Sequence, residues 1–515
     1  MKAADAFEQG ASGAKDGREG NPRWRRPKKF DRNLVVIGAG AAGLTTSFIA
    51  AALKAKVTLV ESGKMGGDCL NYGCVPSKAL LRSAKLAQQM RGAAAYGLGA
   101  AVPKIDFAEV MARVHRVIDT IAPHDSTERF TALGIEVLHG HARLVSPWLI
   151  EIDDAGAKRT ISTRSIVVAT GSRPRIADIP GLDGSSCLTS DNVWDLTALP
   201  RRLLVLGGGA IGCEMAQAFA RLGSIVTQVE AGPRLLPHED DDAASLVAAA
   251  LRTEGITVLT GHEAMRCEPT GDGEPGARRL IVKGGGRERA IEFDAILCAI
   301  GRAPRTEGFG LDELGIALDD DDKSVAADAT LRTRYPNIFV CGDVAGPYQF
   351  THVASHQAWY AAVNSLLGPF GRFRVDYRVI PWTTFTDPEV ARAGLSEREA
   401  KERGVAYELT RFDLAELDRA VTDGAGRGFI KVLTVPGKDR ILGVTIVGEH
   451  AGDVIAEFVL AMKQGLGLKK ILDTIHIYPT LAEANHSVAV VWRLEHAPQR
   501  VLAWLERFFA WRRSA

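Results

Sequence analysis

Residues 34–43 read LVVIGAGAAG, a short apolar run that leads directly into glycines spaced as GxGxxG. The run predicts a buried strand, and the apolar periodicity that continues to about Ala55 predicts a helix. A second apolar run, at 57–60, ends at Glu61 and predicts another strand. The ordered part of the chain is therefore expected to begin with a strand–helix–strand unit that has a glycine turn at its first junction.

The residues of this unit suit a dinucleotide. Gly38, Gly40 and Gly43 allow a tight turn, close backbone approach to a pyrophosphate and tight packing of the helix on the sheet. The helix N-terminus favours the negative charge of the phosphates. Glu61 can accept hydrogen bonds from an adenosine ribose. A GxGxxG alone is weak, but here both strands, the helix and the acid accompany it, which predicts a Rossmann-like binding unit.

A second copy of this pattern begins about 170 residues later, where residues 203–212 read LLVLGGGAIG. Another helical stretch and a strand follow, and the strand ends at Glu230. An acid there suits the free 2′-hydroxyl of NAD and repels the 2′-phosphate of NADP, so NADH is expected, although Arg234 could soften the preference. The glycines of this second unit are Gly207, Gly209 and Gly212. Two such units in one chain suit a flavin together with its hydride donor.

Two cysteines lie a few residues after the first unit, in the segment 66–78, GGDCLNYGCVPSK. A regular helix would separate Cys69 and Cys74 by about 7.5 Å along its axis, too far for a disulfide, so an irregular helix entry is predicted. Gly73 and Pro76 provide one. A helix that starts here would point its positive end at Cys74 and favour the thiolate. The spacing is not that of a zinc pair, so we expect no metal site.

With these motifs in hand, the chain resembles the class I pyridine nucleotide-disulfide oxidoreductases, the family of lipoamide dehydrogenase, glutathione reductase and mercuric reductase. The resemblance covers about residues 31–495. Four further segments contribute to it: 169–171 (ATG), 301–304 (GRAP), 341–343 (CGD) and 475–483 (IHIYPTLAE).

The resemblance implies roles for residues of this sequence. Cys74 would be the flavin-proximal charge-transfer sulfur, Cys69 the interchange sulfur that meets the substrate, and Lys78 would lie beside the flavin and pair with Glu214. Asp343 would bind the ribityl or pyrophosphate part of FAD. The other positions implied in cofactor binding are Gly67, Ala142, Thr170, Gly171, Gly301, Thr351 and His352.

The implied fold class is α/β, with two Rossmann-like dinucleotide-binding domains, for FAD and NAD(P), and a C-terminal α+β dimerisation domain. A homodimer is expected because Tyr478 and Glu483 would complete the partner's site. The predicted divisions are a disordered basic tail (1–30), the FAD-binding domain in two parts (31–180 and 301–375), the NAD(P)-binding domain (181–300), the dimerisation domain (376–495) and an amphipathic C-terminal helix (496–515).

The sequence departs from its relatives at the acid–base position. Where disulfide reductases of this family have a histidine before Pro-Thr, this chain has Tyr478, and Glu483, which would orient that histidine, remains. A phenol with an unperturbed pKa of about 10 is a poor base at neutral pH. His476 could substitute if it turned inward. Asp68 is a second departure, since many relatives have threonine there, and its effect is not predicted.

These departures rank the acceptors. A tyrosine near the thiols is reminiscent of mercuric reductase, so a thiophilic metal ion or small molecule is expected first, and dihydrolipoamide or another disulfide is the alternative. No cysteine follows Cys341 and no amino-terminal CxxC is present, which argues against a complete mercury detoxification enzyme. The expected activity is that of an oxidoreductase acting on a sulfur group or a metal ion. A flavin-bound redox sensor is the alternative of a different class.

Composition restricts partners and location only weakly. The 515 residues carry a formal net charge of +1 and only seven cysteines. The net charge argues neither for nor against an acidic partner, and the cysteines are too few and too scattered for a secreted disulfide framework. We expect a cytoplasmic protein without a nucleic-acid partner. The C-terminal stretch 500–511 has apolar residues at helical spacing with flanking arginines. It could pack against the protein's own dimer or lie on a membrane surface.

Overall fold

The apolar runs predicted as strands lie in sheets in the computed structural model, which describes residues 24–99, 101–184, 187–270 and 278–514. Most of the predicted tail lies outside these residues. The strands, in chain order, are β1 (Arg32–Ile37), β2 (Val57–Glu61), β3 (Glu136–His139), β4 (His141–Ser146), β5 (Leu149–Asp154), β6 (Ala157–Val168), β7 (Ser172–Pro174), β8 (Arg202–Leu206), β9 (Ile225–Glu230), β10 (Thr257–Thr260), β11 (His262–Pro269), β12 (Arg278–Gly284), β13 (Arg287–Phe293), β14 (Ala295–Cys298), β15 (Arg302–Pro304), β16 (Ile338–Val340), β17 (Pro381–Thr384), β18 (Glu389–Gly394), β19 (Glu408–Asp413), β20 (Phe429–Thr434) and β21 (Ile441–Gly448).

The described α-helices, in chain order, are α1 (Ala41–Ala52), α2 (Gly67–Asn71), α3 (Cys74–Arg91), α4 (Phe107–Ile121), α5 (Thr127–Ala132), α6 (Ala210–Leu222), α7 (Asp241–Thr253), α8 (Thr351–Leu367), α9 (Glu397–Glu402), α10 (Asp418–Thr422), α11 (Ala451–Val454), α12 (Ala456–Lys463), α13 (Leu468–Leu472), α14 (Glu483–Glu495) and α15 (Gln499–Ser514). Within the described residues, no helix combines the length and the apolarity needed to span a membrane.

The chain divides into two compact units. The first contains the described residues up to Ala231 and the segment Gly261–Tyr377, and the second contains Gly232–Thr260 and the described residues from Arg378 onwards. In the first unit, β3, β2, β1, β6 and β16 form a parallel sheet. The long strand β6 also pairs through its first half with β5 in antiparallel fashion, and β5 pairs with β4.

Side chains alternate between the two faces of the parallel strands and form two apolar cores, one on each face of this sheet. Leu34 and Val36 point into one apolar cluster, whereas Val35 and Ile37 point into the other. All four side chains are buried. Successive side chains of a strand point to opposite faces, so a strand covered on both faces reads as a continuous apolar run. This explains why the sequence at 34–37 is apolar throughout.

The second nucleotide pattern lies in the same unit. Strands β9, β8 and β14 are parallel, with α6 connecting β8 to β9. A three-stranded antiparallel sheet, β11–β12–β13, and a two-stranded pair, β7 and β15, complete the pairing within this unit.

The second unit contains a five-stranded antiparallel sheet in the order β17–β18–β21–β20–β19. Helices α12, α13 and α14 contribute to the apolar core that packs with it. Arg392 and Lys431 project from this sheet and are almost completely buried. Each is compensated by carboxylates: Arg392 pairs with Glu239 and Glu399, and Lys431 Nζ lies 2.9–3.0 Å from three acidic side chains.

Candidate active site

The first glycine turn has the geometry that a bound pyrophosphate needs. Gly38 has a φ of +102°, and a Cβ there would lie 2.4 Å from the carbonyl oxygen of Ala169. A Cβ at Gly43 would lie 1.7 Å from the carbonyl oxygen of Gly38. Only glycine fits either position, so the backbone of the turn is brought close to the sheet and to the start of α1. Glu61 ends β2 and its Oε2 accepts a hydrogen bond from the turn at 2.5 Å.

The cysteine segment packs directly on this turn. A Cβ at Gly67 would lie 2.5 Å from the Cα of Gly40, so the two backbones are in contact. A Cβ at Gly40 itself would meet Gly67 Cα at 3.8 Å and is otherwise open among the described residues. An open glycine face at a helix N-terminus is where a phosphate can approach the backbone, so these residues fit FAD.

The other residues implied in FAD binding follow β6 and β16, lie in β4, precede β15 or begin α8. Asp343 follows β16 and accepts a 2.6 Å hydrogen bond from Ser172 Oγ. Burial raises the pKa of Asp343. Thr170 follows β6 and donates to the carbonyl of Arg305 at 2.7 Å. The remaining positions are Ala142, buried in β4, Gly171 after β6, Gly301 before β15, and Thr351 and His352 in the first turn of α8.

The second glycine turn repeats the geometry of the first. A Cβ at Gly207 would lie 2.3 Å from Ala299 O, and a Cβ at Gly212 would lie 2.2 Å from Gly207 O. Gly209 faces open space among the described residues. Glu230 Oε2 accepts a 2.5 Å hydrogen bond from the amide of Gly208, as Glu61 does from the first turn. These residues fit a second dinucleotide.

The irregular helix entry predicted for the cysteine pair is present. Helix α2 carries Cys69 and ends before Tyr72, Gly73 intervenes, and α3 begins at Cys74. Each sulfur shifts the pKa of the other, so the two thiols interact directly. Cys74 Sγ also lies 3.4 Å from Thr351 Oγ1. The break between two helices thus brings together two cysteines that a continuous helix would hold apart.

The two thiols differ in acidity. The hydrogen bond from Cys69 lowers the pKa of Cys74 to about 6, with further lowering from Thr351 and from the charge of Lys78. The pKa of Cys69 is raised, first by its bond to Cys74 and then by burial. These shifts favour Cys74 as the thiolate and Cys69 as the thiol. The thiolate is the nucleophilic form of cysteine, and a position at a helix N-terminus favours it over the thiol.

Lys78 and Glu214 are brought together from two helices of the first unit. Lys78 Nζ on α3 lies 2.9 Å from Glu214 Oε2 on α6. The Glu214 side chain is only 6% exposed. Lys78 lies one helical turn from Cys74, so its charge is fixed close to the thiolate.

The segment that replaces the family's acid–base histidine lies in the second unit. The hydroxyl of Tyr478 donates to Asp418 Oδ2 at 2.8 Å. This hydrogen bond and the charge of Asp418 raise the pKa of Tyr478. Glu483 begins α14, and its buried Oε2 has no hydrogen-bond partner among the described residues. The phenol is therefore held by Asp418 instead of Glu483.

His476 forms hydrogen bonds with other residues of the second unit. Its Nε2 lies 3.0 Å from Glu457 Oε2, and its Nδ1 lies 3.0 Å from the carbonyl of Thr474. Both ring nitrogens thus have partners.

Sequence reasoning missed Arg302 and Trp194 beside the cysteine segment in the first unit, and it missed Asp418 as the partner of Tyr478 in the second unit. Arg302 pairs with Asp68 at 2.9 Å, and Trp194 donates to the carbonyl of Tyr72 between the two cysteines. The 301–304 turn was a visible signal for Arg302. Asp418 and Trp194 carry no local pattern that would single them out.

Comparisons with known proteins agree with this geometry. Residues 32–358 match the pyridine nucleotide-disulphide oxidoreductase family, and residues 380–489 match its dimerisation domain. The chain is 36% identical to a dihydrolipoyl dehydrogenase of Chlamydia muridarum, over 88% of this chain and 94% of that protein. It is 32% identical to a mercuric reductase of Bacillus cereus, over 88% of this chain and 70% of that protein.

A solved structure, the Cu(II) complex of the HOCl-induced flavoprotein disulfide reductase RclA from Escherichia coli, is similar with a TM-score of 0.78 and 27% identity. The match covers 90% of this chain and 99% of that one. The predicted family, fold class and cofactors are confirmed. The chain belongs to the pyridine nucleotide-disulphide oxidoreductases, and it is a flavoprotein oxidoreductase that uses FAD and NAD(P)H and carries the family's dimerisation domain.

Proposed function

We propose that this protein carries electrons from NADH through FAD to the Cys69–Cys74 pair and from there to a thiophilic metal ion. The observation that carries this proposal is the hydrogen bond from Tyr478 to Asp418. Tyr478 occupies the position of the family's base, and the pKa of its phenol is raised, so the phenol stays protonated at neutral pH. It therefore cannot take a proton from a dithiol substrate.

The chain's own residues prepare the sulfur side of the reaction. The first glycine turn and Asp343 would hold FAD, which would supply the disulfide with the two electrons that the reduced nicotinamide provides. Cleavage of the S–S bond by two electrons and one proton leaves Cys69 as a thiol and Cys74 as a thiolate, as the two pKa shifts favour. Lys78 compensates the negative charge that remains on Cys74, and Glu214 holds Lys78 in place.

A metal ion suits the second half of the reaction because it needs sulfur ligands more than a proton donor. One Hg(II) takes two electrons, or two Cu(II) ions take one each, while the S–S bond re-forms and the Cys69 proton leaves. A mercuric reductase among the relatives and a Cu(II) complex among the similar structures support this choice. We infer that the active form is a homodimer in which Tyr478 and Glu483 stand at the partner's cysteine pair.

NADH is the proposed donor because Glu230 ends β9 beside the second glycine turn. Arg234, which could have softened this preference, is engaged elsewhere: its Nη1 donates to the carbonyl of Glu239 at 2.6 Å and lies 2.7 Å from Asp241 Oδ1. A guanidinium with these partners is not available to a 2′-phosphate.

Dihydrolipoyl dehydrogenase is the second candidate function, since relatives with that activity are 36% identical over nearly the whole chain. One experiment separates the two. The dimer is reduced anaerobically with stoichiometric NADH and mixed separately with Hg(II), Cu(II), lipoamide and glutathione disulfide while flavin absorbance is followed. Fast reoxidation by a metal ion but not by disulfides supports the proposal. Fast reoxidation by lipoamide overturns the choice of acceptor.

We further propose that α15 contacts an anionic lipid surface. Trp504 and Trp511 are 61% and 64% exposed, and no residue of this helix is buried. The helix carries four arginines and a single acid, Glu506. Exposed tryptophans with flanking arginines suit the boundary between lipid headgroups and acyl chains. The competing occupant of this face is a second copy of the chain.

A further inference from the structure

Asp68 lies immediately before Cys69, at a position where many relatives have threonine, and neither the dinucleotide sites nor the choice of acceptor explains the aspartate. Its Oδ2 lies 2.9 Å from an Nη atom of Arg302, whose side chain is 12% exposed. Its backbone carbonyl accepts hydrogen bonds from Tyr72 at 2.8 Å and from Gly73 at 2.7 Å. The side chain of Asp68 thus contacts Arg302, which is distant in sequence. Its backbone carbonyl closes the turn that leads to Cys74.

Arg302 connects Asp68 to the FAD side of the unit. Its Nε donates to Ser172 Oγ at 2.8 Å and its Nη1 to Ser190 Oγ at 3.2 Å. Ser172 in turn donates to Asp343 at 2.6 Å. The chain of contacts from Asp68 through Arg302 and Ser172 therefore ends on the residue assigned to FAD.

The other end of the cysteine segment is anchored from the same place. Trp194 Nε1 donates to the carbonyl of Tyr72 at 2.8 Å and to that of Ser190 at 2.7 Å. Ser190 thus contacts both Arg302 and Trp194. The residues between Cys69 and Cys74 are held at Asp68 and at Tyr72 by one connected group of side chains.

The pairing is also needed electrostatically. Burial raises the pKa of Asp68, and the charges of Asp191 and Asp343 add to this effect, whereas Arg302 opposes it. Arg302 is therefore the cation that compensates Asp68, and its charge also opposes the rise in the pKa of Asp343. Loss of either partner would leave Arg302, whose side chain is 12% exposed, or Asp68, whose side chain is 38% exposed, without its counter-charge. The two side chains therefore hold each other in place.

We propose that Asp68 is a positioning residue that sets the geometry of the Cys69–Cys74 pair through Arg302. A disulfide forms readily when its two sulfurs are held close, because the ordering cost has already been met. Loss of the anchor frees the Cys69 turn and shifts the equilibrium from disulfide toward dithiol. This role depends on the disulfide chemistry of the family and not on which acceptor is used.

The test compares Asp68→Thr with Asp68→Glu in the FAD-loaded dimer. The disulfide–dithiol equilibrium is measured in glutathione buffers by thiol labelling, and the charge-transfer absorbance of the two-electron-reduced protein is recorded. Asp68→Thr is expected to favour the dithiol about tenfold, which is about 30 mV for two electrons, and to weaken the charge-transfer band. Asp68→Glu, which keeps the carboxylate, is expected to restore most of both signals.

Two further variants keep the test decisive. Arg302→Gln should produce the same shift, and the double variant with Asp68→Thr should add nothing to it, because both remove one interaction. Glu307→Thr removes a neighbouring exposed ion pair, to Arg173 at 3.3 Å, and should leave the equilibrium unchanged. If Asp68→Thr loses FAD or fails to fold, Asp68→Asn takes its place. An equilibrium within twofold of the wild type in the folded variants overturns the proposal.

Discussion

Tyr478 donates its phenolic hydrogen to Asp418 at 2.8 Å, while the buried Oε2 of Glu483 has no hydrogen-bond partner among the described residues. Glu483, which would orient a histidine at position 478, is present, but the Tyr478 hydroxyl donates to Asp418 and not to Glu483. A carboxylate oxygen that is buried without a partner is costly, so it is ready to accept a hydrogen bond from a suitable donor.

Tyr478→His is therefore expected to give the protein a base. An imidazole at this position can donate to Glu483 and has a pKa near neutrality, whereas the phenol stays protonated. We expect the rate of NAD⁺ reduction by dihydrolipoamide to rise at least about tenfold, a small part of what a positioned base contributes. The measurement is steady-state turnover near pH 8.

Tyr478→Phe is the matched control for this substitution. It removes the bond to Asp418 without supplying a base, so no gain with dihydrolipoamide is expected. Equal gains in both variants would mean that the phenol merely obstructs the thiols, and the reasoning about the missing base would be wrong.

The thiols of Cys69 and Cys74 should titrate at different pH values. The pKa of Cys74 is lowered to about 6, so its thiolate, and the charge-transfer band that it forms with the flavin, should be present above pH 6 and lost as the pH falls below it. Cys69 is the largest cause of this shift. Cys69→Ala should move the midpoint upward toward the usual value of about 8.5, and Cys69→Ser, which retains a donor, should move it less. Anaerobic absorbance titration measures both, and identical midpoints in the two variants would contradict the assignment.

The sequence predicted those parts of the structure that are encoded locally. Both glycine turns and the helix break at Gly73 follow from patterns within about thirty residues. In the second unit, the buried Arg392 interrupts the apolar pattern of β18, and the arginine is tolerated only because Glu239 and Glu399 compensate its charge. The contact between Tyr478 and Asp418 joins positions sixty residues apart. No pattern in a single sequence reports such a contact.

The coenzyme preference should depend on Glu230. A charged acceptor of ribose hydroxyl bonds contributes about 1.5–3 kcal/mol, so Glu230→Ala should lower kcat/KM for NADH about 10-fold to 100-fold and narrow the preference over NADPH. Arg234→Ala should leave the NADH to NADPH ratio within twofold, because that guanidinium already binds Asp241 and the Glu239 carbonyl. A large fall in NADPH use in Arg234→Ala would show that Arg234 does reach the coenzyme.

The buried arginine of the second unit should be important for stability. Arg392 is 1% exposed, pairs with Glu239 and Glu399, and lies 4.2 Å from the ring centre of Trp382. Arg392→Met leaves two buried carboxylates without their cation, which should lower the free energy of unfolding by about 3–5 kcal/mol. Urea unfolding followed by circular dichroism measures the change.

Two variants control for this effect. Arg143→Met, which removes an exposed ion pair, should leave the unfolding curve unchanged. Adding Glu239→Gln and Glu399→Gln to Arg392→Met should recover part of the loss, because the uncompensated charges are then gone. No recovery would mean that packing of Arg392 against Trp382, and not charge, accounts for the stability.

Helix α15 should bring the protein to anionic vesicles. The full-length dimer is expected to co-sediment with vesicles of 70% phosphatidylcholine and 30% phosphatidylglycerol but not with phosphatidylcholine alone, and high salt should release it. The double variant Trp504→Ser/Trp511→Ser should lose binding about tenfold or more because both aromatic anchors are removed. Leu98→Ser, which changes an exposed apolar side chain elsewhere, should bind normally. If the double variant instead dissociates the dimer in solution, the face of α15 is covered by a second copy and the lipid proposal is wrong.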